Sequence, residues 1–381
     1  MSVALGWAAA VAIAAAVGSI LSGTSQFVPN ACDHLDTYLT SRIVGQDLAL
    51  RQISDAICDH LAQPNPRKPL VLSIHGPPGV GKSLFHQEAA RALYNTNPNP
   101  DLRCPGPDCG GYKVLFGLDF SADDREAQHA ALRSALDDHM RYSPESFLIL
   151  EEYDKLDCTM RGFFRHILEG GTIGNYSLAK SIVVLESNTG YTSLHRMLEQ
   201  AGSRERISPE VAQKELKDLV FERWQQQGCE ERSDTMKMVG LVDFFLPFFP
   251  LERKHVHELF ELRLKEKVAA VETQLRRSSR RGGLPIIWDP AVVEFLTCKV
   301  DFEGPYPIEG GKEVGTLMSR YVSRPVREWT AAQEMAKLEE KKKKKKKKKD
   351  DGVAALAPMT PAVGRLKLSS SRDRLEIVAD S

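Results

Sequence analysis

Cysteine is scarce in this chain. Seven in 381 residues cannot staple a small disulfide scaffold, and an odd number leaves at least one thiol free or intermolecular. Cys104 and Cys109 stand close together, but no two further ligands lie near them, which excludes a four-ligand zinc site; the pair suits a local disulfide or two free thiols. Net charge is also missing, because 51 basic residues cancel 51 acidic ones. The balance is uneven along the chain. Nine of the basic residues form one run at 341–349, and without it 42 basic residues face 51 acidic ones, a net of −9. An acidic body lacks the basic surface that phosphate backbones require, so the folded part is not expected to bind nucleic acid. Internal repeats are absent. Only one stretch, residues 3–21, approaches the ~20 apolar residues that cross a bilayer. Apolar residues make up 42% of the chain, enough for a sizeable core, so wholesale disorder is excluded.

Residues 3–21 carry no charge and are rich in Ala, Val and Ile. The run is long for a signal-peptide core, and the small residues Ser19, Ser22 and Gly23 accompany its end. We read residues 1–23 as a signal for entry into the secretory pathway, either removed or kept as a membrane anchor. The sequon Asn175-Tyr176-Ser177 is a second, weak sign of lumenal exposure.

Further on, an amphipathic helix is expected over 47–61, stopped by Pro64, Pro66 and Pro69. Residues 70–74 are an apolar run fit for a buried parallel strand. A Gly-rich loop and a helix to about Tyr94 follow, then a loop over 95–111, a strand over 112–120 and a helix over 122–140. Residues 147–150 and 181–185 are two more core strands. Strands alternating with helices imply an α/β fold with a parallel sheet flanked by helices. From His255 the period changes: Val256, Phe260, Leu264, Val268, Val271 and Leu275 recur as on one helix face. The organisation read from this is an α/β domain over 24–250, a small helical domain over 251–330 and a tail over 331–381. The tail holds the lysine run and is expected to be solvated and disordered.

The chemistry concentrates in one motif. Gly76-Pro77-Pro78-Gly79-Val80-Gly81-Lys82-Ser83 matches G-x-x-x-x-G-K-[ST] in full, between an apolar strand and a helix. Glycines let backbone amides turn toward phosphate oxygens, and the helix start adds a positive end. Lys82 can reach the outer phosphates, and the Ser83 hydroxyl suits Mg²⁺. A nucleotide-hydrolysing site also needs acids at the end of a neighbouring strand. Residues 147–150 supply the strand, and Glu151 and Glu152 the acids. Glu151 stands where the metal-holding Asp is usual, and Glu152 is placed to position and deprotonate water. Asn188, after the strand at 182–185, is read as the contact to the γ-phosphate and the attacking water.

The loop, the acidic pair and Asn188 together resemble an AAA+ ATPase, and Ile43-Val44-Gly45-Gln46 is similar to the adenine-side box of that class. More narrowly, the chain resembles the torsins, lumenal relatives of the Clp disaggregases. Arg67 to Gly76 looks like the torsin approach to the phosphate loop. Glu152-Tyr153-Asp154-Lys155-Leu156 resembles "D-E-M-D-K-L", and Leu185 through Gly190 resembles "L-S-N-A-G". The most discriminating stretch is Leu241-Val242-Asp243-Phe244-Phe245-Leu246-Pro247-Phe248-Phe249-Pro250-Leu251-Glu252, similar to "L-I-D-Y-F-I-P-F-L-P-L-E". The likeness runs over about 32–320. It implies a large α/β ATPase domain with ATP and Mg²⁺, a small helical lid, and residence in the endoplasmic reticulum lumen and perinuclear space. It also implies protein clients, self-assembly, and a membrane-anchored lumenal activator that donates an arginine.

Several positions depart from the family pattern. Ser83 stands where torsins carry Asn. The lid motif "G-C-K" is Gly310-Gly311-Lys312 here, with Lys312 able to point at the γ-phosphate. The thiol partner position in the lid helix is Leu259, so redox control is not carried over. Residues 239–243 contain no Arg, whereas Clp ATPases place a finger there; Arg204 and Arg206 are candidate substitutes, but the plainer reading makes them solvated loop charges. No aromatic-Gly pore tripeptide follows the second strand, so threading through a ring is not expected.

Overall fold

A computed structural model describes residues 26–95, 104–106, 109–120, 125–229, 231–277, 286–350, 363–369, 371 and 373–380. The apolar segment at 3–21 lies outside them; among the described residues no helix is long and apolar enough to cross a membrane. The chain divides into two compact units, one formed by Met1–Pro77 with Gly81–Phe249, the other by Pro78–Val80 with Pro250–Ser381.

The first unit runs α1 (Leu35–Arg42), α2 (Asp47–Leu61), β1 (Leu70–His75), α3 (Lys82–Tyr94), β2 (Tyr112–Phe116), α4 (Arg125–Tyr142), β3 (Phe147–Glu151), α5 (Cys158–Gly170), a small hairpin β4 (Thr172–Ile173) and β5 (Tyr176–Ser177), β6 (Ile182–Ser187), α6 (Tyr191–Ala201), α7 (Pro209–Gln226), α8 (Arg232–Leu241) and β7 (Phe244–Pro247). The sheet order is β2-β3-β6-β1-β7, and every pairing is parallel. Successive side chains of a strand face opposite sides, yet β1 and β6 are buried at all positions, so helices cover both faces. The second strand is shorter than its sequence suggests. It ends at Phe116, and a tight turn over Gly117–Phe120 follows.

The aromatic run at 244–249 packs against the start and end of β1. Asp243 accepts the Val71 amide at 2.9 Å and pairs with Lys68. The Phe245 ring stacks on His75, and Phe248 meets Phe85 edge-on. The Gln46 side chain pairs with both backbone groups of Phe249, at 2.9 and 3.0 Å. Residues far apart in sequence thereby hold the loop after β1 from two sides.

His75 sits at the centre of that end of the sheet, fully buried. Its Nε2 lies 2.7 Å from the Ser73 hydroxyl and 3.4 Å from the Tyr153 hydroxyl, and its Nδ1 lies 3.2 Å from the Thr189 carbonyl. One ring therefore ties β1 to the turn after Glu152 and to the segment after Asn188. Burial pushes the imidazole down to about 4, against the pull of the Thr189 carbonyl.

The second unit holds α9 (Arg253–Arg277), β8 (Ile286–Trp288), α10 (Pro290–Thr297), a hairpin β9 (Phe302–Glu303) and β10 (Tyr306–Pro307), α11 (Lys312–Leu317), α12 (Ser323–Asp350), β11 (Gly364–Leu368) and β12 (Leu375–Ala379). Val256, Phe260, Leu264 and Val271 of the α9 stripe are buried, as the spacing requires. The region over 284–330 is not wholly helical, since β8 and the β9–β10 hairpin interrupt it. Among the described residues of 331–381 the expected disorder is overturned as well. The backbone of α12 continues through the lysine run, and β11 and β12 pair antiparallel, with β11 parallel to β8. Arg365 explains the docking: it pairs with Asp380 at 2.8 and 3.0 Å and with Asp289 at 2.9 Å. Leu366 and Leu375 turn inward. Polar composition had concealed this alternation of apolar and polar residues.

Six cysteines form disulfides: Cys32–Cys58, Cys104–Cys109 and Cys158–Cys229; Cys298 is free and exposed. Only the second pair was anticipated from spacing. The third closes a loop of 71 residues. Replacing Cys158 and Cys229 together by Ser is expected to lower unfolding free energy by about 2–4 kcal/mol in chemical denaturation, and non-reducing peptide mapping should recover all three pairs.

His75 gives a second expectation. Above its ordinary value near 6.5 the ring is neutral in both folded and unfolded chains. Between there and about 4 the unfolded chain takes up a proton that the folded one refuses, so stability falls as pH falls. Urea unfolding at pH 7 and pH 4 should show a loss from this group of about 3 kcal/mol, absent from His75→Gln. His139, also pushed to about 4 by burial, will keep its own share in both proteins.

Candidate functional site

The loop after β1 joins a fully buried strand to a helix, α3, whose first residue is Lys82. Gly76 and Gly81 are among the loop glycines that cannot carry a side chain. A Cβ on Gly76 would stand 2.2 Å from the Phe248 carbonyl oxygen, and Gly81 has φ +101°, a left-handed conformation that side chains resist. Lys82 is only 5% exposed. Its Nζ donates to the carbonyls of Gly76 and Pro77, at 2.9 and 3.0 Å, and to Asn188 Oδ1 at 2.9 Å. Asn188 follows β6, the neighbour of β1, so sheet register brings it to the lysine.

Glu151 is the last residue of β3, and Glu152 follows it with φ +53°, the one described residue other than glycine in the left-handed region. That conformation costs an ordinary residue roughly 1–3 kcal/mol and concentrates at functional sites. Gly117 lets it occur: a Cβ there would lie 2.3 Å from the Glu152 carbonyl oxygen. Tyr153 next to it is buried beside His75 and Trp224, which fixes the turn.

Two residues escaped the sequence reading. Glu186, the fifth residue of β6, is 8% exposed. Its carboxylate accepts from the Ser83 hydroxyl at 3.3 and 3.5 Å. His86, one turn after Ser83 on α3, lies with Nε2 2.8 Å from Glu151 Oε1 and 3.8 Å from Glu186 Oε2, and with Nδ1 2.6 Å from the Tyr112 hydroxyl. Burial pushes the Glu186 carboxyl up; Lys82 and His86 pull it down, Glu151 adds to the rise, and the Ser83 hydrogen bond lowers it again. Burial also raises the Tyr112 hydroxyl, with Glu151 and Glu186 adding to it. A signal for both residues was present. A Glu inside an otherwise apolar strand must find a partner, and Ser83 and His86 stand at i and i+3 on one helix face.

The other anticipated residues distribute as follows. Ile43 is buried, and its Cγ2 stands 3.3 Å from where a Cβ of Gly81 would be; Val44 is half-buried beside it. Arg204 donates to the Gly45 carbonyl, so it is part of this box and not a solvated loop charge. The tip of the loop, Pro78, Gly79 and Val80, groups with the second unit. There Gly79 accepts from the Gly311 amide at 2.7 Å. Lys312 opens α11 in that same unit and is exposed. A Cβ on Gly311 would stand 3.2 Å from Leu259 Cδ1, so the two positions where the resemblance would put thiols are neighbours filled by Gly and Leu.

The donor types suit a phosphorylated ligand with a divalent cation. Lys82 is a buried cation whose three acceptors named above are neutral. The Ser83 hydroxyl and two carboxylates supply hard oxygen ligands beside it.

Comparison with known proteins agrees with this arrangement. The sequence model of the Torsin family matches residues 21–101. A "Torsin-like protein" of Drosophila melanogaster is 25% identical over 240 residues, 62% of this chain and 68% of that protein. A "Torsin-like protein" of Caenorhabditis elegans is 28% identical over 239 residues, 61% of this chain and 64% of that one. The "Chaperone protein ClpB2, chloroplastic" of Oryza sativa subsp. japonica is 24% identical over 310 residues, 76% of this chain but 28% of its own length. The chain thus spans about two thirds of the torsin-like relatives and under a third of the chaperone. The parallel five-stranded sheet flanked by helices, with these relatives, is the α/β fold of the AAA+ class, whose members bind nucleotide. The matched segment and the two torsin-like relatives make the chain similar to the torsin family, on the sheet and relatives of an AAA+ fold.

Proposed function

We propose that this protein binds and hydrolyses ATP with a divalent cation, Mg²⁺ in the usual case of this class, and uses the cycle to remodel proteins in the endoplasmic reticulum lumen and perinuclear space. The observation that carries the reading is the convergence of Lys82 and Asn188 at the phosphate loop, 2.9 Å apart, with Glu151 and Glu152 at the end of a strand of the same sheet. In this reading the loop from Gly76 to Gly81 and Lys82 hold the phosphates, and Ile43 and Val44 flank the base. Ser83 and Glu151 hold the cation, which neutralises charge on the outer phosphate oxygens. Glu152 orients water and takes its proton. Asn188 and Lys312 contact the γ-phosphate.

Residues 239–243 contain no Arg, and Arg204 is engaged with Gly45. In this reading a membrane-anchored lumenal partner supplies the arginine, and turnover by the chain alone is slow, since such a finger contributes on the order of 10³–10⁵ in rate. Self-association and client binding belong to the same reading. Three disulfides support an oxidising compartment, as does the exposed sequon at Asn175. A second reading, an ATP-binding scaffold that recruits the partner without turnover, draws on one contact: Glu151 is held by His86 at 2.8 Å.

Phosphate release by the purified full chain, with and without the lumenal domains of membrane proteins co-purifying with it, separates the two. We expect slow release alone, acceleration by a partner with an accessible Arg, and loss of about 10²-fold or more in Glu152→Gln, which keeps ATP uptake. Fast release by the chain alone contradicts the need for a partner. ATP uptake with no release under any partner selects the scaffold. Glycosidase-sensitive mass at Asn175 in cells would support the lumenal assignment, and its absence would count against it.

A further inference from the structure

Of the His86, Glu151 and Glu186 side chains, the ATP reading gives only Glu151 a part in holding the cation; neither that reading nor the resemblance assigns His86 and Glu186. Each of the three offers one ligand atom, and these atoms all lie within 4.8 Å of one another. They come from three rigid elements of the first unit. His86 lies on α3, Glu151 ends β3, and Glu186 lies on β6, in adjacent strands registered by Leu150 with Leu185. Ser83, one helical turn before His86, adds a hydroxyl 3.3 Å from Glu186 Oε1. Neighbouring ligands of an ion held at about 2.1 Å stand roughly 3.0–3.4 Å apart. The observed 2.8 and 3.8 Å from His86 Nε2 to the two carboxylates bracket that spacing.

The imidazole decides which ion the set prefers. Mg²⁺ is a hard cation that takes oxygen ligands and keeps its waters, whereas imidazole nitrogen favours first-row transition ions. His86 is also oriented as ligating histidines are. Its Nδ1 lies 2.6 Å from the Tyr112 hydroxyl; with Nδ1 donating there, the Nε2 lone pair faces the two carboxylates. His86 and Glu186 are almost wholly buried, so their ligand atoms are fixed by packing. We propose that this pocket holds a first-row transition ion such as Mn²⁺ or Zn²⁺, bound directly by His86, Glu151 and Glu186 and selected over Mg²⁺. The proposal deepens the ATP reading and rests on it only for the nucleotide's presence beside the ion; the ligand set itself is complete in the protein.

The test uses full chain carrying Cys298→Ser, which removes the one free thiol as a competing ligand, stripped of metal and nucleotide. Mn²⁺ uptake is followed by electron paramagnetic resonance, Co²⁺ by visible absorption, and Mg²⁺ by competition. The expected result is one ion per chain, with Mn²⁺ and Co²⁺ bound at least about 100-fold more tightly than Mg²⁺. His86→Gln and Glu186→Gln should each weaken uptake about 10–100-fold and change the Co²⁺ spectrum, with circular dichroism reporting that the variants fold. Should a variant unfold, selectivity in the parent protein still decides. Mn²⁺ and Co²⁺ bound no more tightly than Mg²⁺ would overturn the proposal, leaving the ordinary cation site of the ATP reading. So would a folded His86→Gln that keeps the parental uptake and spectrum. ATP uptake is titrated separately: a chain that takes Co²⁺ but no ATP sinks the ATP reading and leaves the metal site standing, and the reverse result does the opposite.

Discussion

A lysine ammonium buried at the start of a helix constrains this molecule more than any other group. Removing a charge from water is costly unless hydrogen bonds replace hydration. Lys82 recovers them from two carbonyls of its own loop and from Asn188, on a different strand. That requirement accounts for much of the local architecture. The loop must curl so that Gly76 and Pro77 turn their carbonyls toward Nζ. Gly76 must lack a side chain to pass Phe248. The parallel pairing of β1 with β6 must bring Asn188 alongside.

The same end of the sheet is organised by His75. Its ring contacts Ser73, Tyr153 and the Thr189 carbonyl. Strand β1, the turn after Glu152 and the segment after Asn188 therefore share one buried polar network. Such a network is stable only when its members are satisfied, and it then holds loops in one arrangement. The left-handed backbone at Glu152 is one such arrangement. Placing Glu152, the base in the reading we propose, on a strained turn clamped by Gly117 and Tyr153 is consistent with a site whose geometry is set before the ligand arrives.

Much of this was legible in the sequence. The phosphate loop announced itself through glycine spacing, and the central strands through short apolar runs. The helical stripe on α9 was readable because its period is local. What escaped had a non-local cause. Glu186 becomes meaningful only when β6 lies beside β3 and faces Ser83. The Cys32–Cys58 and Cys158–Cys229 pairs depend on the folded approach of α2 to the turn before α1, and of α5 to the end of α7. The C-terminal hairpin was hidden by composition: serine, lysine and arginine read as a solvated tail, although Leu366 and Leu375 alternate inward and Arg365 finds Asp289 only after β11 joins β8.

Compartment, partner and client belong to the proposed reading alone; the geometry bears on the nucleotide site. Everything chemical in the account requires a triphosphate to replace the neutral acceptors of Lys82. Isothermal titration of the full chain with ATP and a divalent cation, in parallel with Lys82→Ala, tests this most directly. The account predicts a single saturable site in the parent protein and affinity reduced by about 100-fold or more in the variant, a loss of roughly 2.7 kcal/mol. Equal uptake by the two proteins, or none by the parent, would contradict it.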